Sequence, residues 1–276
     1  MTAGPAWHQP TTLEEALALR AELGDEAVVL AGGTFVGVLM GQGLLEPEAL
    51  LSLGRVRELV AVEAGDDLVL GAMTTHRAVE RSAAVRAGWP ALARAFELVA
   101  SPRIRNQATV GGVLADADYA SDPPAMLCAL GARAVARGPA GTREIPIEEL
   151  VLGYYETSLA TDELLVEVRV PGGAERSTYR KFRSRSHEDR PCVAVAAALA
   201  GGRLRVVVGA VAGTPQLFPD VCALADGGPL DRAVAEEIGR RYAERVDAIS
   251  DVRGSAAYRR RVVAVEVRRA IEELAA

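Results

Sequence analysis

The run Ala27-Val28-Val29-Leu30-Ala31-Gly32-Gly33-Thr34 decides how this chain reads. Four successive apolar residues, Ala27 to Leu30, feeding through Ala31 into a glycine pair, form the pattern of a short buried strand. Upstream, Thr12 and Glu15 make a capping box, and Leu13, Ala16, Leu17 and Leu23 fall on one face of a helix that Gly24-Asp25 ends. Downstream of Thr34 the chain reads as a short helix, and Ala49 to Leu53 as a second strand. A helix, a strand, a glycine turn, a helix and a strand make a small βαβ-like layer.

Beyond it the pattern changes. Val60-Ala61-Val62 and Leu68-Val69-Leu70 flank Gly65-Asp66-Asp67, a hairpin signal. Gly71 to His76 reads as a turn opening helices, and Trp89 to Ala100 as an amphipathic helix with Pro90 in its first turn. Residues 101 to 124 are rich in Pro, Gly, Asn, Asp and Ser and carry too little apolar periodicity for a helix. So long an irregular stretch, bracketed by a helix at Ala125 to Leu130 and strands at Ala132 to Ala136 and Thr142 to Ile145, points to function.

In the last third, Leu164 to Val170, Thr178 to Phe182, Val193 to Leu199 and Leu204 to Val211 are strand-like. After Pro229 the chain turns helical, with a long final helix from about Ser255. Strands followed by helices suggest a separate α+β unit. The expected organisation is α+β throughout: a first domain over residues 1–173, with subdomains of about 1–55 and 56–173, and a smaller second domain over 174–276 of antiparallel sheet plus helices.

With 276 residues, half of them apolar, the chain can bury a substantial core. A net charge of −6, with acidic residues spread along the chain, argues against a nucleic-acid partner. Cys128, Cys192 and Cys222 are scattered singly, with no metal-ligand spacing, so neither an iron–sulfur cluster nor a structural zinc is expected in this chain. The N-terminus shows no signal-peptide pattern, and the longest apolar run, Val193 to Ala200, falls well short of the roughly 20 residues that a membrane helix needs. A cytoplasmic protein without an integral membrane segment is the expectation.

Three constellations carry chemistry. In Val28 to Thr34, a strand ends in two glycines before a helix, exposing backbone N–H groups that an anion can approach closely. Thr34 either caps the helix or binds an oxygen of a diphosphate, and a plain strand-to-helix turn has the same pattern. Arg105 to Gly112 contains a second Thr-x-Gly-Gly turn, followed by Asp116, Asp118 and Asp122-Pro123-Pro124. Two such turns suit a dinucleotide diphosphate held from both sides. Asp122 then meets a ribose or the ring edge of the cofactor, or the aspartates merely stabilise turns and cap helices. The basic stretch Arg180, Lys181, Arg183 and Arg185 is a solvated strand edge, a phosphate patch or a partner contact. His187 shows no metal or nucleophile partner and reads as an ordinary polar residue. No acid/base or nucleophile constellation and no metal site emerges.

At these residues the sequence resembles the FAD-binding medium subunits of molybdenum hydroxylases, the family of the carbon monoxide dehydrogenase medium subunit and the xanthine dehydrogenase FAD domain. Ala31-Gly32-Gly33-Thr34 is similar to the family's first flavin loop; Ser101-Pro102, Ile104 to Asn106 and Ala108 to Gly112, continuing through Asp118 to Pro124, are similar to its second. Gly71 to His76, Leu164 to Pro171, Lys181 to Asp189 and Gly209 to Pro215 match other parts in order, so the resemblance spans nearly the whole chain.

The resemblance implies a PCMH-type, vanillyl-alcohol-oxidase-like fold holding a non-covalent FAD. It carries cofactor contacts onto Val29, Leu30, Ala31, Gly32, Gly33, Thr34, Phe35 and Val36. It carries others onto Thr109, Val110, Gly111, Gly112 and Val113, and onto Asp122, Leu165 and Lys181. Lys181 becomes a cation near the flavin that favours the reduced, anionic ring. Partners are implied too: a small subunit with two [2Fe–2S] clusters and a large molybdopterin subunit, in a hetero-oligomer. Electrons would pass from the molybdenum cofactor through the clusters to FAD and on to an external acceptor. Three positions depart from the family pattern: Val113 where Asn is usual, Phe35 where a polar residue is frequent, and Arg190 where an apolar or aromatic residue is common. Two other functions use the same features: a free-standing FAD oxidoreductase, with Tyr154, Tyr155 or His187 as proton donor, and a partner-binding subunit without flavin.

Overall fold

The computed structural model describes residues 4–186 and 189–276. His187, read above as an ordinary polar residue, lies outside the described residues.

The first layer is a three-stranded parallel sheet of β1 (Ala6–His8), β2 (Ala27–Leu30) and β3 (Ala49–Ser52), in the order β1-β3-β2. Helix α1 (Leu13–Leu23) connects β1 to β2, and α2 (Val36–Gly41) lies between β2 and β3. The Thr12 hydroxyl caps α1 by accepting from the Glu15 N–H. The Glu15 carboxylate reaches back to the N–H of Thr11, one residue earlier than a capping box requires. Strand β1 escaped the sequence reading because three residues, mostly exposed, carry no periodic signal.

The second layer is a five-stranded antiparallel sheet in the order β4 (Val62–Ala64), β5 (Leu68–Gly71), β10 (Leu164–Val170), β6 (Arg133–Gly138) and β7 (Gly141–Pro146). Its hairpin of β4 and β5 is followed by helices α3 (His76–Arg81), α4 (Ala83–Gly88) and α5 (Pro90–Glu97). Pro90 starts α5, where its missing N–H has no helical partner to lose. Ala91, Leu92, Ala95 and Phe96 recur at helical spacing and are buried; truncating Phe96 to Ala would cost about 3–5 kcal/mol.

Residues 101–124 depart from the irregular segment expected. They contain α6 (Pro102–Arg105) and α7 (Val110–Ala115), and α8 (Pro123–Ala129) begins at their end. Helices of four and six residues are too short for apolar periodicity to register. The Thr109 hydroxyl that starts α7 accepts from the Gly112 N–H. Next come β6 (Arg133–Gly138), β7 (Gly141–Pro146), α9 (Ile147–Leu150), the small hairpin β8 (Val151–Gly153) and β9 (Glu156–Thr157), and the central strand β10 (Leu164–Val170).

The last unit is an antiparallel sheet of β11 (Ala174–Phe182), β12 (Val193–Ala200), β13 (Arg203–Gly209) and β14 (Gln216–Leu217), followed by α10 (Pro219–Cys222), α11 (Arg232–Arg245) and α12 (Ala256–Ala275). The continuous apolar run of β12 has a direct cause. Ala194, Ala196 and Ala198 face the core shared with α5 and α8, while Val193, Val195 and Ala197 face the core under α11 and α12. A strand covered on both faces needs no polar alternation. The fold is α+β, with the antiparallel sheets and helices expected from the sequence.

Candidate functional site

The C-terminal end of β2, the start of α7 and the bulged strand β10 converge on one cavity of about 660 Å³, a size usual for cofactor sites. The register of β10 against β6 shifts between Leu165 and Glu167. Such a bulge re-aims adjacent side chains, and both Leu164 and Leu165 reach the cavity wall.

Of the sixteen positions carried over by resemblance, all but Leu30 and Val110 line this cavity. Val110 is fully buried in the core beside Leu114 and Ala72. Leu30 supports the first loop from behind: its carbonyl accepts from Leu53 N–H, and its side chain lies 3.4 Å from where a Cβ on Gly33 would project.

The two glycine turns are not equivalent. In the first, among the described residues, none accepts from the N–H groups of Gly32, Gly33, Thr34 or Phe35. Gly33 turns through φ +69°, the left-handed region that glycine enters without strain. Thr34 does not cap α2, whose cap residue is Phe35 and has no side-chain bond; Thr34 lines the cavity. In the second turn the amides are consumed. Val110 donates to the Thr74 carbonyl, Gly111 to Ala72, Gly112 to the Thr109 hydroxyl and Val113 to the Thr109 carbonyl. The donor cluster expected there is absorbed by local structure, because Thr109 is an N-cap and the turn pairs with the Ala72–Thr74 segment. A Cβ at Gly32 would lie 1.9 Å from the Gln107 carbonyl oxygen, and one at Gly111 2.7 Å from the Ala72 side chain. These two glycines serve close packing of backbone on backbone. Only the first turn offers an anion a row of unpaired donors.

Lys181 on β11 is the chain's single lysine among 31 basic residues. Its ammonium donates to the Asp122 carboxylate and to the Leu98 carbonyl, each at 2.8 Å. Tyr179 donates to the other Asp122 oxygen at 2.7 Å. Asp122 occupies the N-cap position of α8 but its side chain makes no cap bond; it ties α8 to β11 at the cavity wall. Burial pushes the Asp122 carboxyl up and the Lys181 ammonium down, and their mutual attraction opposes both shifts. A cation so compensated projects less field into the cavity than an isolated one.

Asp116 and Asp118 also reach the wall. Asp118 does stabilise a turn, accepting from Ala120 N–H, and it binds Arg190 at 2.7 Å. Burial, with Asp118 beside it, pushes the Asp116 carboxyl up to about 7. Phe35 stacks on Tyr155 at 5.5 Å, which gives the apolar residue at that position a local partner. The cavity wall also includes Arg20, Asp25, Thr161 and Glu163, residues that sequence reading did not single out because only folding brings their segments together. His76 lies under the second turn with Nε2 3.1 Å from the Thr109 carbonyl. Burial pushes its imidazole down to about 4, so it is neutral and donates from Nε2.

A cavity of this size, bordered by a strand-end glycine turn with free amides, can receive an anionic group. Residues 2–173 match the model of the FAD-binding domain in molybdopterin dehydrogenase, and residues 177–274 that of the CO dehydrogenase flavoprotein C-terminal domain. The chain is 34% identical to the nicotine 6-hydroxylase medium subunit of Paenarthrobacter nicotinovorans, over 97% of this chain and 96% of that protein. It is 33% identical to the carbon monoxide dehydrogenase medium chain of Afipia carboxidovorans, over 96% and 95% of the two chains. In structure it is similar to a chain of carbon monoxide dehydrogenase from Hydrogenophaga pseudoflava, with a TM-score of 0.93, 31% identity and coverage of 99% and 98%. The chain belongs to the family of FAD-binding medium subunits of molybdenum hydroxylases, and is an oxidoreductase subunit.

Proposed function

We propose that this chain is the electron-transfer flavin subunit of a molybdenum hydroxylase complex. It takes electrons from [2Fe–2S] clusters of a small partner subunit and passes them through FAD to an external acceptor. The molybdenum cofactor then resides on a large partner subunit, and the working unit is a hetero-oligomer in the cytoplasm. In this reading residues 1–173 hold the cofactor and residues 174–276 form the second domain.

The observation that carries the reading is the unpaired row of amides from Gly32 to Phe35 on the wall of the cavity. A diphosphate would find these donors in a row, and Gly33 leaves the backbone open to it. Val29, Ala31, Thr34, Phe35, Val36, Val113 and Leu165 would enclose the cofactor. Lys181, through Asp122, would fix the wall at the join with β11. FAD, when bound, supplies the redox chemistry; the chain's residues bind it, orient it and exclude water. The relatives support the assembly, since both curated proteins are medium subunits or chains of larger enzymes. Among the described residues no group of His, Cys, Asp and Glu is arranged to hold a metal, and no helix is long and apolar enough to cross a membrane.

Affinity purification of the chain from its native source, with metal and flavin analysis of what accompanies it, tests this reading. Iron, molybdenum and FAD in fixed proportion with two further polypeptides are expected. A flavin-bearing chain recovered without iron or molybdenum would favour a free-standing oxidoreductase.

A further inference from the structure

The wall of the cavity is poor in positive charge for a site that takes a diphosphate. It carries five carboxyl groups, from Asp25, Asp116, Asp118, Asp122 and Glu163. Against them stand three cations, Arg20, Lys181 and Arg190, with His76 neutral. The formal balance is minus two when every carboxyl is ionised. Two of the cations are already engaged: Lys181 with Asp122, and Arg190 with Asp118. Arg20 is turned to the carbonyls of Gly24 and Ala27.

Among the described residues, neither Asp25 nor Asp116 makes a side-chain hydrogen bond or ion pair, but Asp25 has the Arg20 guanidinium near it whereas Asp116 has the like charge of Asp118 beside it. Asp116 closes α7, its N–H bonded to the Gly112 carbonyl. Among the described residues, no donor lies within hydrogen-bonding distance of its side chain. The charged groups that face it are Asp118, two residues on, and Arg190 from the β11–β12 connection. Asp118 repels its negative charge, and Arg190 is committed to Asp118 at 2.7 Å. We propose that Asp116 controls cofactor entry: the cavity admits its anionic dinucleotide when Asp116 is neutral and opposes it when Asp116 is ionised. This rests on the FAD reading of the cavity.

The physical argument is linkage. A dianionic ligand brought beside a half-buried carboxylate displaces its water and adds repulsion, and both effects favour the protonated acid. One proton therefore moves from solvent to Asp116 as the ligand seats. With the carboxyl already raised to about 7 in the free chain, the exchange falls within the neutral range.

The test is titration of FAD into the full-length apo chain between pH 6 and pH 8, read by quenching of flavin fluorescence. The dissociation constant should rise about tenfold over that range, the limit for one proton taken up on binding across a midpoint near 7. Asp116→Asn should keep the low-pH affinity and lose the pH dependence. Asp118→Asn, which removes the repelling neighbour and frees Arg190, should retain the dependence with its midpoint moved to lower pH. Circular dichroism of each variant separates a folding defect from a binding effect. A pH dependence that survives unchanged in Asp116→Asn overturns the inference and leaves the FAD reading intact. Absence of FAD binding at every pH in the folded wild-type chain overturns both.

Discussion

A Cβ placed on Gly32 would sit 1.9 Å from the carbonyl oxygen of Gln107. Gly32 closes the first glycine turn, and Gln107 lies two residues before Thr109 in the segment that opens the second. The two loops are thus in backbone contact, and the second braces the first, which keeps free donors. The separation of roles follows from where each amide finds its partner. Those of the second turn are spent on Ala72, Thr74 and Thr109, while those of the first are left for a ligand.

Gly32 and Gly33 should therefore differ. Gly32→Ala forces the loops apart and should cost about 1–3 kcal/mol, as overpacking does, together with most of the FAD affinity. Gly33→Ala meets only the Leu30 side chain at 3.4 Å and costs mainly the left-handed turn, about 1–2 kcal/mol. Thermal unfolding and FAD titration of both variants check this; equal loss of affinity would contradict the division of roles.

Lys181→Met leaves Asp122 buried with Tyr179 as its remaining partner. Removing one member of a buried pair costs about 3–5 kcal/mol. Burial already disfavours the ionised carboxyl, so the loss should grow as pH rises above the ordinary carboxylate range. Adding Asp122→Asn should recover part of it. Denaturant unfolding at pH 5 and pH 8 measures both effects, and a loss independent of pH would contradict the assignment.

Asp251 joins the two halves of the chain. It accepts from Tyr119 beside the cavity, from Arg253 and from the fully buried Arg259. Burial works against its charge, but the Arg253 N–H, Arg259 and Tyr119 outweigh it and hold the carboxyl at about 2. A depressed carboxyl stabilises the fold above its unfolded value near 4 and loses that contribution as pH falls toward 2. The contribution is on the order of 2 kcal/mol. Asp251→Asn should lower stability at pH 7 and flatten the acid limb of the unfolding curve between pH 4 and pH 2. An unchanged acid limb would contradict it.

Thr109→Ala removes the hydroxyl that caps α7 and accepts from Gly112. The expected cost is about 1 kcal/mol, typical of an N-cap. FAD affinity should weaken little, because this hydroxyl already serves the protein. A loss of affinity far larger than the loss of stability, measured on the same samples, would return Thr109 to direct ligand contact.

Local patterns carried much of the fold. The apolar run Ala27 to Leu30 and the run Leu164 to Val170 form strands with those bounds, and Ser255 caps the final helix. In each case the signal is a continuous apolar run or a side-chain cap, which neighbouring residues alone determine. Helices α6 and α7 were illegible because one turn and a half of helix leaves no period to count. At the site, the glycine turns could be read, but which of their amides stay free depends on Ala72 and Thr74, more than thirty residues before Gly111. Arg20, Asp25, Thr161 and Glu163 reach the cavity only through tertiary folding, and Asp116 looked like any other turn aspartate until the cavity wall formed around it.

The central claim is that this cavity holds FAD against the first glycine turn. The direct test is a titration of FAD into the purified full-length chain, followed by visible absorption, for the wild type and for Gly32→Val. A shifted flavin spectrum that saturates at one equivalent is expected in the wild type, and no shift in the variant. A folded wild-type chain that leaves the spectrum of excess FAD unchanged, or a Gly32→Val chain that binds as the wild type does, would contradict it.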